Sequence, residues 1–228
     1  MEGILYDLLT GIPWRLLPPQ FGPPSTLFDQ FQLWSAAGVF ECLWEQALLT
    51  YDAEVGIAWT WPAMDGALTK APLGGEVTVP NPTDRAKSGG KRSRLTDGNR
   101  MPIAVVLAPA NRHDVKLFEA TLEARRILPP VTPQLLGLDE GYDSAEVRET
   151  ARAYLFTPQI RPIGEEPRRM ERNRKRKPRR WVVERTHAWM NPFRRLWVRW
   201  VRKVRNHAGL VAFACALIAW WACGIWSR

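Results

Sequence analysis

The sequence predicts an α/β protein with a mixed sheet flanked by helices, preceded by a small helical segment. Two observations predict this class. Short apolar, β-rich runs alternate with amphipathic helical stretches after residue 57, and a hairpin signal lies among the first of them. The 228 residues are 46% apolar, which is enough to build a buried core. We expect a helical segment over 1–52 and one α/β domain over 53–228.

The N-terminal segment predicts helices separated by a proline-rich break. Apolar residues recur at helical spacing in GILYDLLTG and again from Ser25, where Gly38 joins two amphipathic stretches. The prolines of PWRLLPPQFGPP exclude a regular helix between them. Two short helices around a turn are typical of DNA-binding units and of simple packing units, and the pattern favours packing.

The remaining chain predicts alternating strands and helices. Asp97-Gly98-Asn99 predicts the turn of a hairpin, and the Gly- and Pro-rich stretch 71–90 predicts a loop. The predicted strands are 57–64, 101–107, 134–138 and 154–157. The predicted helices are 113–128, 144–153, 181–191 and the stretch from Pro192 to the end of the chain.

Half of the positive charge lies in one segment. Residues 168–205 carry 16 of the 32 Lys and Arg residues and two acidic residues, in a chain whose net charge is +9. Tryptophans interrupt this segment, whereas disordered tails are poor in aromatic residues. The segment therefore indicates a folded surface for a polyanion, with nucleic acid favoured over an anionic membrane surface.

The stretch Ala208–Trp226 is almost entirely apolar and allows two interpretations. It is about long enough to cross a bilayer, and the basic residues before it are typical of a positive flank. It also fits a terminal helix that is buried on all sides in an α/β core. The chain has no second hydrophobic segment of this length, which favours the core helix.

Three carboxylates are candidate metal ligands. Asp65 and Asp139 each follow a predicted strand, at the sheet edge where ligands bind in α/β proteins. Glu184 shares a predicted helix face with Arg180 and His187. Each carboxylate taken alone fits a turn, cap or ion-pair role about as well. Together they fit a site for two Mg²⁺ (or Mn²⁺) ions, about 4 Å apart, that catalyses phosphoryl transfer.

Long stretches of the sequence resemble a known family. These stretches are TGIPWRLLPPQFGPPSTLFDQFQLWSAAGVFECLWE, the segment from MDGALTKAP to VKLFEATL, LDEGYDSAEVRE, FTPQIRPIGEE and RRWVVERTHAWMNPFRRLWVRW. They resemble the bacterial insertion-sequence transposases of the insertion sequence five family. The resemblance implies a ribonuclease H-like catalytic domain with an Asp-Asp-Glu triad at Asp65, Asp139 and Glu184. It implies cleavage at transposon ends and strand transfer into target DNA, with two Mg²⁺ or Mn²⁺ ions.

The resemblance also implies the partners of the chain. Expected partners are the terminal inverted repeats, the target DNA and a second copy in a homodimer on DNA, in the bacterial cytoplasm at the nucleoid and without a membrane. The expected DNA-contacting residues are basic: Lys177, Arg180, Arg185, His187, Arg194 and Arg195. Two departures from the family pattern are Glu140, where Lys is common, and Pro192, where Arg is usual.

Family members carry a further helical region before the segment that begins at Gly3, so we expect the DNA-binding front of this chain to be truncated. This expectation keeps an alternative open, a catalytically inactive remnant that acts only as a DNA-binding protein. A membrane-associated basic protein and a different metal nuclease on the same fold are further alternatives.

Overall fold

A mixed sheet with helices packed on both faces makes up the fold in the computed structural model, which describes residues 1–81, 84–160, 190 and 192–225. The strands are β1 (Ala63–Lys70), β2 (Val79–Pro80), β3 (Ser88–Thr96), β4 (Pro102–Pro109), β5 (Gln134–Leu138) and β6 (Phe156–Ile160). The helices are α1 (Glu2–Thr10), α2 (Pro24–Ala36), α3 (Val39–Glu54), α4 (Phe118–Glu123), α5 (Ala145–Ala153) and α6 (Val204–Ala222).

The sheet combines an antiparallel half with a parallel half. Strand β3 pairs antiparallel with β1 on one side and with β4 on the other, and the short β2 pairs with one end of β3. Strands β1, β5 and β6 run parallel, so the long strands follow the order β4–β3–β1–β5–β6. This arrangement confirms the predicted mixed sheet flanked by helices and the predicted N-terminal helical segment.

The predicted hairpin turn is confirmed between β3 and β4. The Asp97 carboxylate is buried, and its two oxygens accept hydrogen bonds from the backbone N–H groups of Met101 at 2.7 Å and Ala58 at 3.0 Å. One side chain therefore closes the turn and fixes the loop that leads into β1.

The N-terminal helices and the C-terminal helix share one apolar core. Helix α6 packs mainly against α3 and also against α2, while α4 and α5 cover a second core on the opposite face of the sheet. The joints predicted at glycines are confirmed, because Gly11 ends α1 at φ 68° and Gly38 separates α2 from α3 at φ 71°. Both backbone conformations favour glycine.

Helix α6 accounts for most of the apolar C-terminal stretch. Nearly all of its residues from Leu210 to Ala219 are buried against the rest of the protein, in agreement with the core-helix interpretation. In the part of the chain that the structure describes, no helix combines the length and the hydropathy that a membrane span requires.

Several predicted boundaries are wrong. The strand predicted at 57–64 begins only at Ala63, since Pro62 cannot donate to a ladder and the preceding residues form turns. The helix predicted at 113–128 is a 3₁₀ turn over Asp114–Leu117 followed by the short α4. The strand predicted at 154–157 lies at Phe156–Ile160.

The C-terminal part and the Gly- and Pro-rich loop also differ from expectation. After Pro192 the chain forms a 3₁₀ turn over Arg194–Leu196 and an extended stretch before α6, not one continuous helix. The loop predicted at 71–90 contains β2 and the start of β3. The helix predicted at 181–191 lies outside the described residues apart from Met190.

Candidate active site

Asp65 lies inside β1, as its third residue, and does not follow the strand as predicted. The error has the same cause as the misplaced strand, because Pro62 marks the start of β1 and not a flaw within it. Asp65 is half-buried and pairs across the antiparallel ladder with Arg94 of β3. Cross-strand partners project from the same face of a sheet, so this carboxylate and this guanidinium lie on one face.

Asp139 follows β5 directly, as predicted, and its backbone stays extended at φ −83° and ψ 173°. The parallel register pairs Ala63 of β1 with Gly137 of β5. Asp65 and Asp139 each lie two residues after this pair, so the parallel register directs both of them toward the same end of β5. The register thus brings together two carboxylates that are 74 residues apart in the sequence (139 − 65 = 74).

A buried tyrosine, Tyr142, lies close enough to both carboxylates for their charges to act on its hydroxyl. The pKa of Tyr142 is raised well above its ordinary value, first by burial and then by the negative charges of Asp114, Asp65 and Asp139. Three carboxylates on three different segments therefore act on one phenol. The hydroxyl stays protonated, so it does not add a negative charge to the site.

Asp114 belongs to the opposite face of the sheet. Its carboxylate accepts a hydrogen bond from Lys91 at 2.8 Å and contacts the backbone at Gly66, where a side chain would collide with it. Gly66 and Lys91 alternate with Asp65 and Arg92 along their strands, so they project from the other face. Asp114 therefore packs against β1 on the face of the sheet opposite Asp65.

Two arginines of β3 are buried beside Asp65. Arg94 is 2% exposed and Arg92 is 9% exposed, and the Nη1 atoms of both lie within 4 Å of the Met190 sulfur, at 3.8 and 3.9 Å respectively. Burial lowers the pKa of Arg94, an effect that the negative charge of Asp65 opposes. Burial and the neighbouring Arg94 lower the pKa of Arg92 to about 10, so the Arg92 side chain remains cationic at neutral pH.

Among the described residues, few pair with the edge of β1 that lies beside the carboxylates. On the side of β1 opposite β3, Ala63 pairs with Gly137 and Lys70 forms a parallel bridge with Val198. Between these two pairs, no described segment continues the sheet along about 23 Å of strand.

The basic residues predicted to contact DNA fall into three groups. Arg194 is exposed on its 3₁₀ turn. Arg195 is 7% exposed, and its Nε lies 3.3 Å from Oδ2 of Asp7, so its charge is directed into the protein. We therefore exclude Arg195 from the DNA-contacting set. The other predicted residues lie outside the described part of the chain, together with the third carboxylate: Lys177, Arg180, Arg185, His187 and Glu184.

Sequence reasoning missed Arg92 and Arg94 as inward-facing residues. The segment KRSRLT alternates Lys91, Ser93 and Leu95 with Arg92, Arg94 and Thr96, and a charged residue at every second position suggests a solvated face. The predicted hairpin accounts for the pairing of this strand with β4 on one side. Its pairing with β1 on the other side places it in the middle of the sheet. Charged residues on a central strand then need a partner or a function.

The described residues offer two of the three predicted metal ligands. Within the described ranges, no group of three or more His, Cys, Asp or Glu side chains is arranged to hold a metal ion. Asp65 and Asp139 nevertheless fit a hard divalent cation, because both are oxygen donors near the end of β5, one half-buried and one exposed. Mg²⁺ is commonly held by one or two carboxylates, with water and substrate phosphate completing its shell.

Comparisons with known proteins identify the family of the chain. A family model described as "Transposase DDE domain" matches residues 63–219, and one described as "Putative transposase of IS4/5 family" matches residues 1–44. The chain is 38% identical over 152 residues to the "Putative transposase for insertion sequence element IS402" of Burkholderia cepacia, across 63% of this chain and 68% of that protein.

Among solved structures, the Mos1 transposase paired-end complex with left transposon end aligns with a TM-score of 0.31 and 11% identity, over 77% of this chain and 60% of that chain. The first family model spans the sheet, both aspartates and most of α6, and the second spans α1, α2 and the start of α3. The chain therefore belongs to the family of DDE transposases.

Proposed function

We propose that this chain cuts DNA at transposon ends and joins the freed ends to target DNA, in a reaction that depends on divalent metal ions. The observation that carries the proposal is the parallel register of β1 and β5, which directs Asp65 and Asp139 toward the same end of β5. The resemblance of RRWVVERTHAWMN to the family pattern supports Glu184 as the proposed third carboxylate.

The carboxylates would hold two Mg²⁺ or Mn²⁺ ions. Bound ions of this kind activate a water nucleophile and stabilise the leaving 3′ oxygen of a phosphodiester. Asp65 lies inside β1, which pairs with β3 along its whole length and packs against Asp114 at Gly66. The backbone at Asp65 is therefore fixed, and its carboxylate would be a metal ligand with little freedom to move. Asp139 lies on the turn that leaves β5 and is more accessible.

Basic side chains would bind the DNA around these carboxylates. Arg194 is exposed and suited to a phosphate contact, and the resemblance adds Lys177, Arg180, Arg185 and His187. Both transposon ends must be held for joining, so we propose a homodimer on DNA, at the nucleoid of a bacterial cell. The division into a DNA-binding segment before residue 53 and a catalytic domain after it belongs to the same proposal.

Cleavage of a plasmid that carries the element with its native flanking DNA tests the proposal. In Mg²⁺ buffer, Asp65→Asn and Asp139→Asn should each lower the cleavage rate by about 10³-fold, since several kcal/mol of transition-state stabilisation are lost. Glu184→Gln tests the third ligand in the same assay.

Asp143→Asn is the matched control. Asp143 lies four residues after Asp139 in the same turn, is exposed and pairs with Arg148 at 2.7 Å. An exposed ion pair contributes about 1 kcal/mol or less, so this variant should cut within a few-fold of the wild type. Full activity of Asp139→Asn would refute the assignment, and a wild-type protein that binds DNA without cutting it would point to the DNA-binding remnant.

A further inference from the structure

A group of buried polar atoms without hydrogen-bond partners lies two to four residues further along the strands from Asp65. Thr69 pairs with Gly90, and Ala67 pairs with Arg92, in the same ladder that pairs Asp65 with Arg94. All of these positions project from one face, because residues two apart on a strand share a face. The side chains of Thr69 and Arg92 are therefore neighbours, with only Gly90 and Ala67 between them.

The orphaned atoms are Oγ1 of Thr69, Nε of Arg92 and Nδ1 of His207. Their residues are 4%, 9% and 2% exposed, respectively. A buried donor or acceptor without a partner costs free energy, and buried groups of this kind are normally satisfied by protein, water or a ligand.

Two guanidinium groups converge on the same space. His207 lies close to Arg92 and Arg199, whose positive charges add to burial in holding the pKa of His207 well below its ordinary value. The Nη1 atom of Arg199 lies 3.8 Å from the point where a Cβ on Gly90 would stand. The Nε and Nη2 atoms of Arg199 donate to the carbonyl oxygens of Val201 and Arg202, both at 3.0 Å, which fixes the direction of Nη1.

Within the described part of the chain, the negative charge of Glu76 acts on Arg199, but Arg92 has no acidic partner. The described contact of Arg92 is to the Met190 sulfur, and no carboxylate of the described residues forms an ion pair with Arg92. A buried cation without an anion is strongly unfavourable. An anion is therefore the ligand that best fits the group.

We propose that Arg92, Arg199, His207 and Thr69 form a binding site for one tetrahedral oxyanion, a phosphate group. Guanidinium groups bind phosphate oxygens through charge-assisted hydrogen bonds, and a hydroxyl and a neutral imidazole each add one donor. Gly90 leaves space that a side chain would fill.

The position favours a phosphate of DNA as the source, a step that rests on the proposed function. Arg92 is two residues from Arg94, the cross-strand partner of Asp65, and two residues span about 7 Å of strand. Successive phosphates of a nucleic acid strand have a comparable separation. The site would therefore hold a phosphate next to the one attacked at Asp65 and Asp139.

Thermal unfolding of the full chain with sodium phosphate, against sodium chloride at equal ionic strength, tests the site without any DNA or metal. Phosphate at ten times its Kd should raise the Tm of the wild type by about 3–6 °C. Arg92→Met should abolish this rise and should be at least as stable as the wild type without phosphate, since it removes an unbalanced buried charge.

Two variants control the measurement. Arg92→Lys keeps the charge and should keep a reduced response to phosphate. Arg125→Met removes another arginine with partnerless buried nitrogens, one that stacks on the rings of Tyr154 and Phe156 at 5.4 and 5.7 Å, and should keep the full response. An unresponsive wild type, or an Arg92→Met variant that responds as the wild type does, would overturn the proposal.

Binding to duplex DNA distinguishes the two sources of phosphate. If the site holds a DNA phosphate, Arg92→Met should lower the slope of log Kd against log salt concentration by about one unit. An unchanged slope, together with a lost response to inorganic phosphate, assigns the site to a free oxyanion. Asp139→Asn should retain the phosphate response in either case, so a failure of the proposed catalytic function would not be mistaken for a failure of this site.

Discussion

Asp7 should make the stability of this protein fall as the pH rises. Its side chain in α1 is fully buried, and its contact with Arg195 is an ion pair at 3.3 Å in which neither carboxylate oxygen accepts a hydrogen bond. Burial raises the pKa of Asp7 from 3.8 to about 7, although the positive charge of Arg195 opposes the shift. The carboxyl group is therefore half-protonated near neutral pH despite its cationic neighbour.

The direction of the effect follows from the two pKa values. Because the folded protein holds the Asp7 proton more tightly than the unfolded chain, the contribution to stability is complete below pH 3.8 and is lost as the pH rises through about 7. Between pH 5 and pH 8 the loss amounts to about 2–3 kcal/mol. For a chain of this size, that corresponds to a decrease in Tm of about 5–10 °C.

Urea unfolding at pH 5, 6, 7 and 8 measures this contribution when the wild type is compared with Asp7→Asn. The amide that replaces the carboxyl group is neutral throughout, so the variant should resemble the wild type at pH 5 and gain about 2–3 kcal/mol relative to it by pH 8. Asp29→Asn, on the exposed side of α2, should retain the pH dependence of the wild type. Parallel pH profiles for the wild type and Asp7→Asn would refute the reasoning.

Two further substitutions test the supports of the site by urea unfolding. Gly66→Ala should lower the free energy of unfolding by about 1–3 kcal/mol, because the new Cβ collides with the Asp114 carboxylate, whereas Gly137→Ala meets its nearest atom at 3.5 Å and should cost less. Asp97→Ala should cost about 2–4 kcal/mol, since two backbone N–H groups lose their acceptor, and an unchanged midpoint would mean that the turn is held by other contacts.

The sequence was sufficient where the signal was local. The run LLGL followed by Asp139 predicts a strand and then a turn, and the structure has that order. Ser144 predicts the start of α5, where its hydroxyl accepts a hydrogen bond from the N–H of Val147 at 3.2 Å. The glycines at positions 11 and 38 predict helix ends, and in the structure both adopt the left-handed backbone conformation that favours glycine.

Long-range pairing limited the rest of the prediction. Asp65 was assigned to the residue after a strand because Pro62 is a poor strand residue, yet β1 is fixed by its ladder with β3 over Ala63–Lys70. Arg195 was assigned to DNA because its neighbours are basic, but its burial depends on Asp7, 188 residues earlier in the sequence (195 − 7 = 188). No local pattern contains either contact.

Every second residue of β3 projects from the same face of the sheet as Asp65, and the charge on this face changes along the strands. Arg94 lies beside Asp65, where a carboxylate opposes its charge, while Arg92 lies beside Ala67 and has no acidic neighbour on that strand. A chain of phosphates that follows β1 from Asp65 would therefore pass from a region that attracts cations to one that attracts anions. Under the proposed function, that gradient would place the phosphate next to the cleaved one on the Arg92 side of Asp65. The neighbours of Arg92 on this face of the two strands, Ala67 and Gly90, are small, so the same two strands would set both the position of the cleaved phosphate and the side on which the next phosphate lies.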